Sequence, residues 1–453
     1  MTSSATVPLH VGCGAGFSGD RIDAAGPVVA ALQRLDGRRV LIFETLAERT
    51  LALAQLARQQ DAQAGYEPLM VDFLRPVLAD CLAHGIAIVG NFGAANPPAA
   101  ARRILRLAAE LGLPAPRVAV VGGDDVSGPA HEALLRQALG AAGEGLHIAS
   151  ANAYLGATAI AEALRAGAQV VVTGRVADPS LTVGPAMAHF GWPEDDWDRL
   201  AGATMAGHLL ECGAQVTGGY YADPGFKDVP GLAHVGYPIA TLHDDGSCSV
   251  SKPAGTGGCV DEHTVKEQLL YELHDPRAYL TPDVVADIGE ARVQQLAPDV
   301  VRLSGVRGHP RPATLKANVF HRQGWLAEGE ISYAGAGAEA RARLAAELLK
   351  ERMAGFGAAL RFDLIGVASV FGDDDNRWLG ATPAGDARDI RLRAALKHAD
   401  KAVAERLLRE VNGLYTCGPA GGGGVRTALR QRLGTVSCLL PRERVPAHWE
   451  FVQ

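Results

Sequence analysis

Short apolar runs, each closing on a glycine, asparagine or acidic turn, recur through the first part of the chain. Val7–Val11 leads into GCGAGFSGDR, Val40–Phe43 into ETLAERT and Ile86–Val89 into GNFGAANPP. Val118–Val121 leads into GGDD, Leu146–Ala149 into SANAYLG and Val170–Thr173 into GRVADPSL. Each run is too short for a helix and nearly all apolar, the pattern of strands buried on both faces. Segments between them, such as Pro98–Leu111, space apolar residues at helical intervals with proline at the start and glycine at the end. These β–α alternations predict a parallel sheet with right-handed crossovers. An open doubly wound sheet and a barrel-like closure both satisfy the pattern, and the open form is preferred.

From about Asp195 the pattern changes. A long helix is expected over Asp195–Ala214, a hairpin from Tyr237–Leu242 to Ser247–Ser251 around HDDG, and a helix over Val260–Glu272. Arg292–Ala297, Val300–Val306, Thr314–His321 and Trp325–Tyr333 are strand-like, and Ala338–Met353 is helical. Arg361–Val367 and Asp389–His398 are extended, and Asp400–Leu414 is helical. The acidic run Gly372–Asn376 reads as a solvated loop. With a boundary near Leu280–Gly289, the expectation is two domains. Residues 1–285 form an α/β domain, a largely parallel sheet with helices on both faces, which carries the site. Residues 286–453 form a smaller α+β domain with an antiparallel sheet.

Composition narrows the function classes. At 453 residues and 48% hydrophobic, the chain can bury a sizeable core without disulfides or structural metal. Its net charge of −7, without a basic tract, argues against nucleic acid or an anionic membrane as partner. The seven cysteines form no C-x-x-C pair, so reduced thiols in a cytoplasmic protein are expected. The start MTSSATVPLHVG lacks the basic and apolar regions of a signal peptide, and no apolar run is long enough for a membrane helix.

In parallel α/β sheets ligands bind beyond the carboxyl ends of the strands, where the polar clusters of this chain lie. The catalytic candidates are Asp124, Asp125, Arg175 and Asp178. The binding candidates are Gly16, Asp20, Arg21, Asn91, Asn96, Ser150, Asn152, Lys252, Thr256 and Arg426. GCGAGFSGDR either holds an anion on free backbone N–H groups or makes a tight turn, since Phe17 breaks the strict G-x-G-x-x-G register. The adjacent carboxylates of GGDD suit a hard cation such as Mg²⁺, a shifted pKa for proton transfer, or simple helix capping. Arg175 offers a planar fork for a carboxylate or phosphate, or pairs with Asp178 to order its own loop. Asn91, Asn96, Ser150 and Asn152 are donors of the kind that stabilise an enolate oxygen.

Other motifs are less specific. His208, Glu211 and Cys212 share one helix face, where a packed core histidine is the plainer reading. Lys252 and Thr256 lie in SKPAGTGGCV, which could receive a phosphate, although the P-loop order is absent. GPAGGGGVR, ending at Arg426, is either a connector or backbone that lies against a partner.

Several of these segments occur together in one known family. GFSGDRIDAA, NFGAANPPAA, SANAYLGA, TGRVADPSLTVGP, FGWPEDDWDRLA, AGHLLECGAQVTGG, KPAGTGGCV, EQLLYELHDPRAYLTPDVVAD and LYTCGPAGGGGVR resemble the acyclic terpene utilisation (AtuA) family. The resemblance implies a role in citronellol and geraniol catabolism, beside acyl-CoA carboxylases and dehydrogenases. It brings no established reaction, so it transfers no catalytic residue. Usual members carry Gly–Gly where this chain has Asn91–Phe92–Gly93. Long members have a C-terminal segment of ferredoxin-like fold that this chain, ending at Gln453, is expected to lack, which implies a separate small subunit. Two function classes follow. One is a hydratase or lyase acting on a branched acyl-CoA thioester or related carboxylate, as a homo-oligomer and with no resident cofactor identified. The other is a non-catalytic binding or scaffolding subunit.

Overall fold

The computed structural model describes residues 7–452; residues 1–6, where the segment read for a signal peptide begins, lie outside the described residues, as does residue 453. In chain order the strands begin β1 (Leu9–Ala15), β2 (Arg38–Phe43), β3 (Ala87–Gly90), β4 (Val118–Gly122), β5 (Ile148–Ala153) and β6 (Val170–Thr173). They continue β7 (Ile239–Leu242), β8 (Cys248–Ser251), β9 (Tyr279–Leu280), β10 (Val285–Asp287), β11 (Arg292–Ala297) and β12 (Val300–Ser304). The last are β13 (Arg307–His309), β14 (Thr314–Ala334), β15 (Leu360–Ile365), β16 (Asp389–His398), β17 (Gly423–Pro441) and β18 (His448–Phe451).

Ten strands form one open mixed sheet in the order β11-β12-β8-β7-β1-β2-β3-β6-β4-β18. Its middle, β1-β2-β3-β6-β4, is parallel. The flanking pairs are antiparallel. The parallel sheet expected from the sequence is therefore the centre of a larger mixed one. Val40, Leu41, Ile42, Phe43 and Val170–Val172 are buried, as near-continuous apolar strands in such a centre must be. Hairpins need only tight turns, so β7–β8 and β11–β12 add the antiparallel flank.

Two elements run past their expected ends. β5 continues from Ile148 through Ser150 and Asn152 to Ala153, and it pairs with β14 instead of joining the large sheet. Asn152 is tolerated there because its amide donates to Asp124 at 2.8 Å and accepts from Gln55 at 3.0 Å. The strand-like pieces Thr314–His321 and Trp325–Tyr333 are one continuous strand of 21 residues.

Helix starts follow local capping chemistry. Asn96 caps Pro97–Glu110, Asp261 caps Glu262–Leu270 and Asp400 caps Lys401–Cys417, each through a side-chain oxygen that accepts a first-turn N–H. Trp197–Glu211 is the long helix expected around residues 195–214.

The described residues fold as two compact units, one of residues 7–144, 150–319 and 436–452, the other of residues 145–149 and 320–435. Residues 286–319 and 436–452, beyond the expected boundary at 285, thus lie in the first unit. The physical reason is strand pairing: β11 and β12 extend the large sheet and β18 pairs with β4. The second unit has the sheet order β15-β16-β14-β17 and a core that includes Ile331, Leu349, Phe362, Leu392 and Leu407. The seven cysteines are free thiols. Among the described residues no helix is long and apolar enough to cross a membrane.

Candidate functional site

A cavity of about 830 Å³ opens in the first unit. The segments that follow β1, β2, β5 and β6 meet on it: Gly16 and Phe17; Glu44, Leu46, Ala47 and Glu48; Tyr154; and Arg175, Ala177, Asp178 and Pro179. Glu211, Cys212 and Gln215 wall it from the end of the helix Trp197–Glu211, with Tyr271, Glu272 and Tyr279 beside them. Leu280, Leu315 and Leu439 add apolar surface. The carboxyl ends of β1, β2 and β6 of the large sheet, joined by the end of β5, thus meet at one hollow.

Arg175 is among the largest fully buried side chains of the described residues. Its guanidinium donates to the carbonyls of Leu46 and Val176 and to the Asp178 carboxylate, so three of its five N–H groups have protein acceptors. It also lies over the Tyr154 ring at 4.3 Å from the centroid. Burial works against its charge, but Asp178, Tyr154, Glu44 and Glu48 outweigh that and raise its pKa further. The cation is therefore permanent and fixed in direction.

The loop that carries Arg175 is held from β4. Asp124 Oδ2 accepts the Arg175 backbone N–H at 2.9 Å and the Asn152 amide at 2.8 Å. Gly174 makes this approach feasible, because a Cβ there would sit 2.6 Å from Asp124 Oδ2. Burial pushes the Asp124 carboxyl up to about 6.

Glu44 is held from β3 and from its own turn. Its Oε1 accepts the Asn91 amide at 2.8 Å and the Leu46 N–H at 2.8 Å. Asn91 is itself fixed, accepting the Thr45 N–H at 2.7 Å. Burial, and then the nearby Asp178, push Glu44 up to about 8, so it carries a proton at neutral pH. Burial also raises Asp178 against the pull of Arg175.

A polar chain lines another part of the wall. Tyr154 donates to Glu48 at 2.6 Å, Asn318 donates to Tyr154 at 3.0 Å, and Lys316 donates to Glu48 at 3.3 Å. Burial opposes the Glu48 charge, but the Tyr154 hydroxyl, Lys316 and Asn318 more than offset it and bring the carboxyl to about 2. Glu48 is thus a firm anion, whereas Glu44 close by is a neutral acid.

His208 and Glu211 form a pair near the helix end, with Nδ1 and Oε1 2.8 Å apart. Burial pushes Glu211 up to about 7 despite the opposing effect of His208. Burial disfavours the imidazolium of His208, but Glu211 reverses this and raises its pKa. Glu272 lines the same region with φ +57°, a left-handed backbone that is uncommon for a residue with a side chain.

Of the residues singled out in the sequence, Gly16, Arg175 and Asp178 line the cavity. Asp124, Asn91 and Asn152 lie one contact behind it, holding Arg175 and Glu44. Asp20 accepts the Gly16 N–H at 2.8 Å and the Tyr237 hydroxyl, and so braces the glycine loop. Arg21 pairs with Asp23, and Asn96 caps a helix and donates to the Ala62 and Ala64 carbonyls. Asp125 accepts from Ser127 and pairs with Arg58 at 3.4 Å, so the two carboxylates of GGDD have different partners. Ser150 is buried and its hydroxyl has no partner. Lys252 donates to the Thr256 carbonyl and pairs with Asp299, away from the cavity lining. Arg426 is exposed on β17 in the second unit.

Glu44, Glu48, Tyr154 and Lys316 are cavity residues that were not among the candidates, and Glu211, read from the sequence as part of a packed helix face, also lines the cavity. Glu44 and Glu48 directly follow β2 in ETLAERT and could have been found by position. Lys316 carried no such signal, since β14 brings it from far along the chain. Among the described residues no group of three or more His, Cys, Asp or Glu side chains is arranged to hold a metal ion.

Comparison with known proteins gives one match. The model of the family described as acyclic terpene utilisation family protein AtuA matches residues 9–451, nearly the whole chain. No curated protein and no solved structure matches it.

Proposed function

The chain belongs to the acyclic terpene utilisation family, and from that premise we propose that it is a hydratase or lyase acting on an acyclic, branched acyl-CoA thioester or related carboxylate. The observation that carries this reading is the pair of shifted carboxyls, Glu44 and Asp178, beside the fixed Arg175 guanidinium in one cavity. Acid–base chemistry next to a carbonyl needs a cation for the developing enolate oxygen and carboxyls raised above the ordinary carboxylate range.

In this reading Arg175 receives the carbonyl oxygen on its remaining N–H groups. Asp178 takes the α-proton. The C–H electron pair becomes the new double bond as the β-substituent leaves, and a protonated carboxyl supplies the leaving group with its proton. Phe17, Leu46, Leu280, Leu315 and Leu439 offer apolar surface to a branched hydrocarbon chain.

The test follows turnover of an acyclic, methyl-branched C10 2-enoyl-CoA by the full-length protein, read as loss of the enoyl thioester and gain of one water in product mass. The expected result is hydration that falls about a hundredfold or more in Arg175→Lys, which keeps the charge but loses the fork. Absence of both turnover and binding overturns the proposal. Binding without turnover favours the non-catalytic subunit instead.

A further inference from the structure

The helix end of the cavity holds a set of polar atoms that the chemistry above does not use. Helix Trp197–Glu211 sets His208 and Glu211 on one face, and His208 Nδ1 contacts Glu211 Oε1 at 2.8 Å. The other carboxyl oxygen, Glu211 Oε2, is buried and has no hydrogen-bond partner. His208 Nε2 and Gln268 Oε1 are buried without partners as well. Gln268 is tied to the pair, its amide donating to the His208 carbonyl at 3.0 Å, and the Tyr279 ring packs on the imidazole at 5.3 Å.

Of these groups Glu211 faces the cavity, and it is only 8% exposed. A buried oxygen without a partner is unfavourable unless a ligand completes it. A carboxyl is completed best by a group that both donates and accepts, which is the hydrogen-bonding character of a hydroxyl. His208 leaves Glu211 little freedom to turn away.

We propose that Glu211, positioned by His208, forms a subsite for a substrate hydroxyl, the group that leaves as water. This inference rests on the proposed chemistry and assigns the leaving-group side of it. The Glu211 carboxyl gives its proton to the hydroxyl oxygen as the C–O bond breaks, and water departs. The α-proton goes to Asp178, and its C–H electron pair forms the C=C bond. Burial brings Glu211 up to about 7, so acid and carboxylate are both populated near neutral pH, as a group that gives and regains a proton requires.

Titration calorimetry on the full chain tests this with two probes, a saturated methyl-branched C10 carboxylic acid and its 3-hydroxy derivative. The wild type should bind the hydroxy acid about tenfold more tightly. Glu211→Leu should abolish that preference, and Glu211→Gln should keep part of it. Equal affinity of the wild type for both acids overturns the subsite and leaves the proposed function standing. Binding of neither acid overturns both. A full preference retained in either folded Glu211 variant also overturns the subsite, and the wild-type comparison decides the matter if a variant fails to fold.

Discussion

Asp124 holds Arg175 by its backbone: the Asp124 carboxylate accepts the Arg175 N–H at 2.9 Å, from the turn after β4, which itself contributes nothing to the cavity wall. The same oxygen accepts the Asn152 amide at 2.8 Å, so one buried carboxyl ties the ends of β4, β5 and β6 together. Asp124→Ala leaves two buried donors without an acceptor. It should cost about 3 kcal/mol in urea unfolding and lower turnover through misplaced Arg175. Asp124→Asn, which keeps one acceptor, should cost about 1 kcal/mol. A loss below about 0.5 kcal/mol for the alanine variant contradicts this role.

Gly174 and Asp124 should be energetically coupled. A Cβ at residue 174 would lie 2.6–2.9 Å from the Asp124 side chain, so Gly174→Ala must displace the carboxyl. Alone it should cost about 2 kcal/mol. Combined with Asp124→Ala, the clash disappears, and the double variant should cost about 1 kcal/mol less than the sum of the singles. Additive costs in the four-member cycle would show that the contact carries no energy.

Stability should fall as pH rises through neutrality. Glu44 titrates at about 8 when folded, against an ordinary value of 4.5, so the folded chain keeps a proton that the unfolded chain has released. Between those values folding takes up a proton, and each step up in pH weakens the folded state. Glu211 at about 7 and Asp124 at about 6 act in the same direction. The urea midpoint should therefore drop from about pH 5 to about pH 8. Glu44→Gln, neutral throughout, should flatten the slope. A midpoint that stays level or rises across this range contradicts the burial of these carboxyls.

Gly16 is required by close approach. A Cβ there would overlap the backbone of Gly213, where the glycine loop after β1 meets the segment beyond Glu211. Gly16→Ala should lower the melting temperature by several degrees and weaken ligand binding, because both segments edge the cavity. An unchanged melting temperature would mean that the two segments separate freely.

The strands were legible where burial leaves a strong mark. Val40–Phe43, Val118–Val121 and Val170–Thr173 are short, β-branched and bounded by turns, and each is a strand of the parallel centre. β5 was not legible in full, because Ser150 and Asn152 look like turn residues, and only the partners of Asn152, Asp124 and Gln55, show how its side chain is accommodated in a strand. The same limit governs the cavity. Arg175, Asp178 and Gly16 stand at strand ends and could be read by position. Glu211 could be seen on a helix face but not its exposure to a hollow, and Lys316 depends on how β14 is placed. Side-chain chemistry is local, whereas burial and pairing are set by residues hundreds of positions away.

The central claim is that this cavity moves protons on an acyl thioester. Its most direct test is exchange of the α-hydrogens of a saturated methyl-branched C10 acyl-CoA with D₂O, followed by mass spectrometry with the full-length protein. The predicted result is exchange well above the uncatalysed rate, falling about a hundredfold in Asp178→Asn and in Arg175→Lys while the fold is retained. Exchange no faster than without protein, or equally fast in both variants, would contradict it.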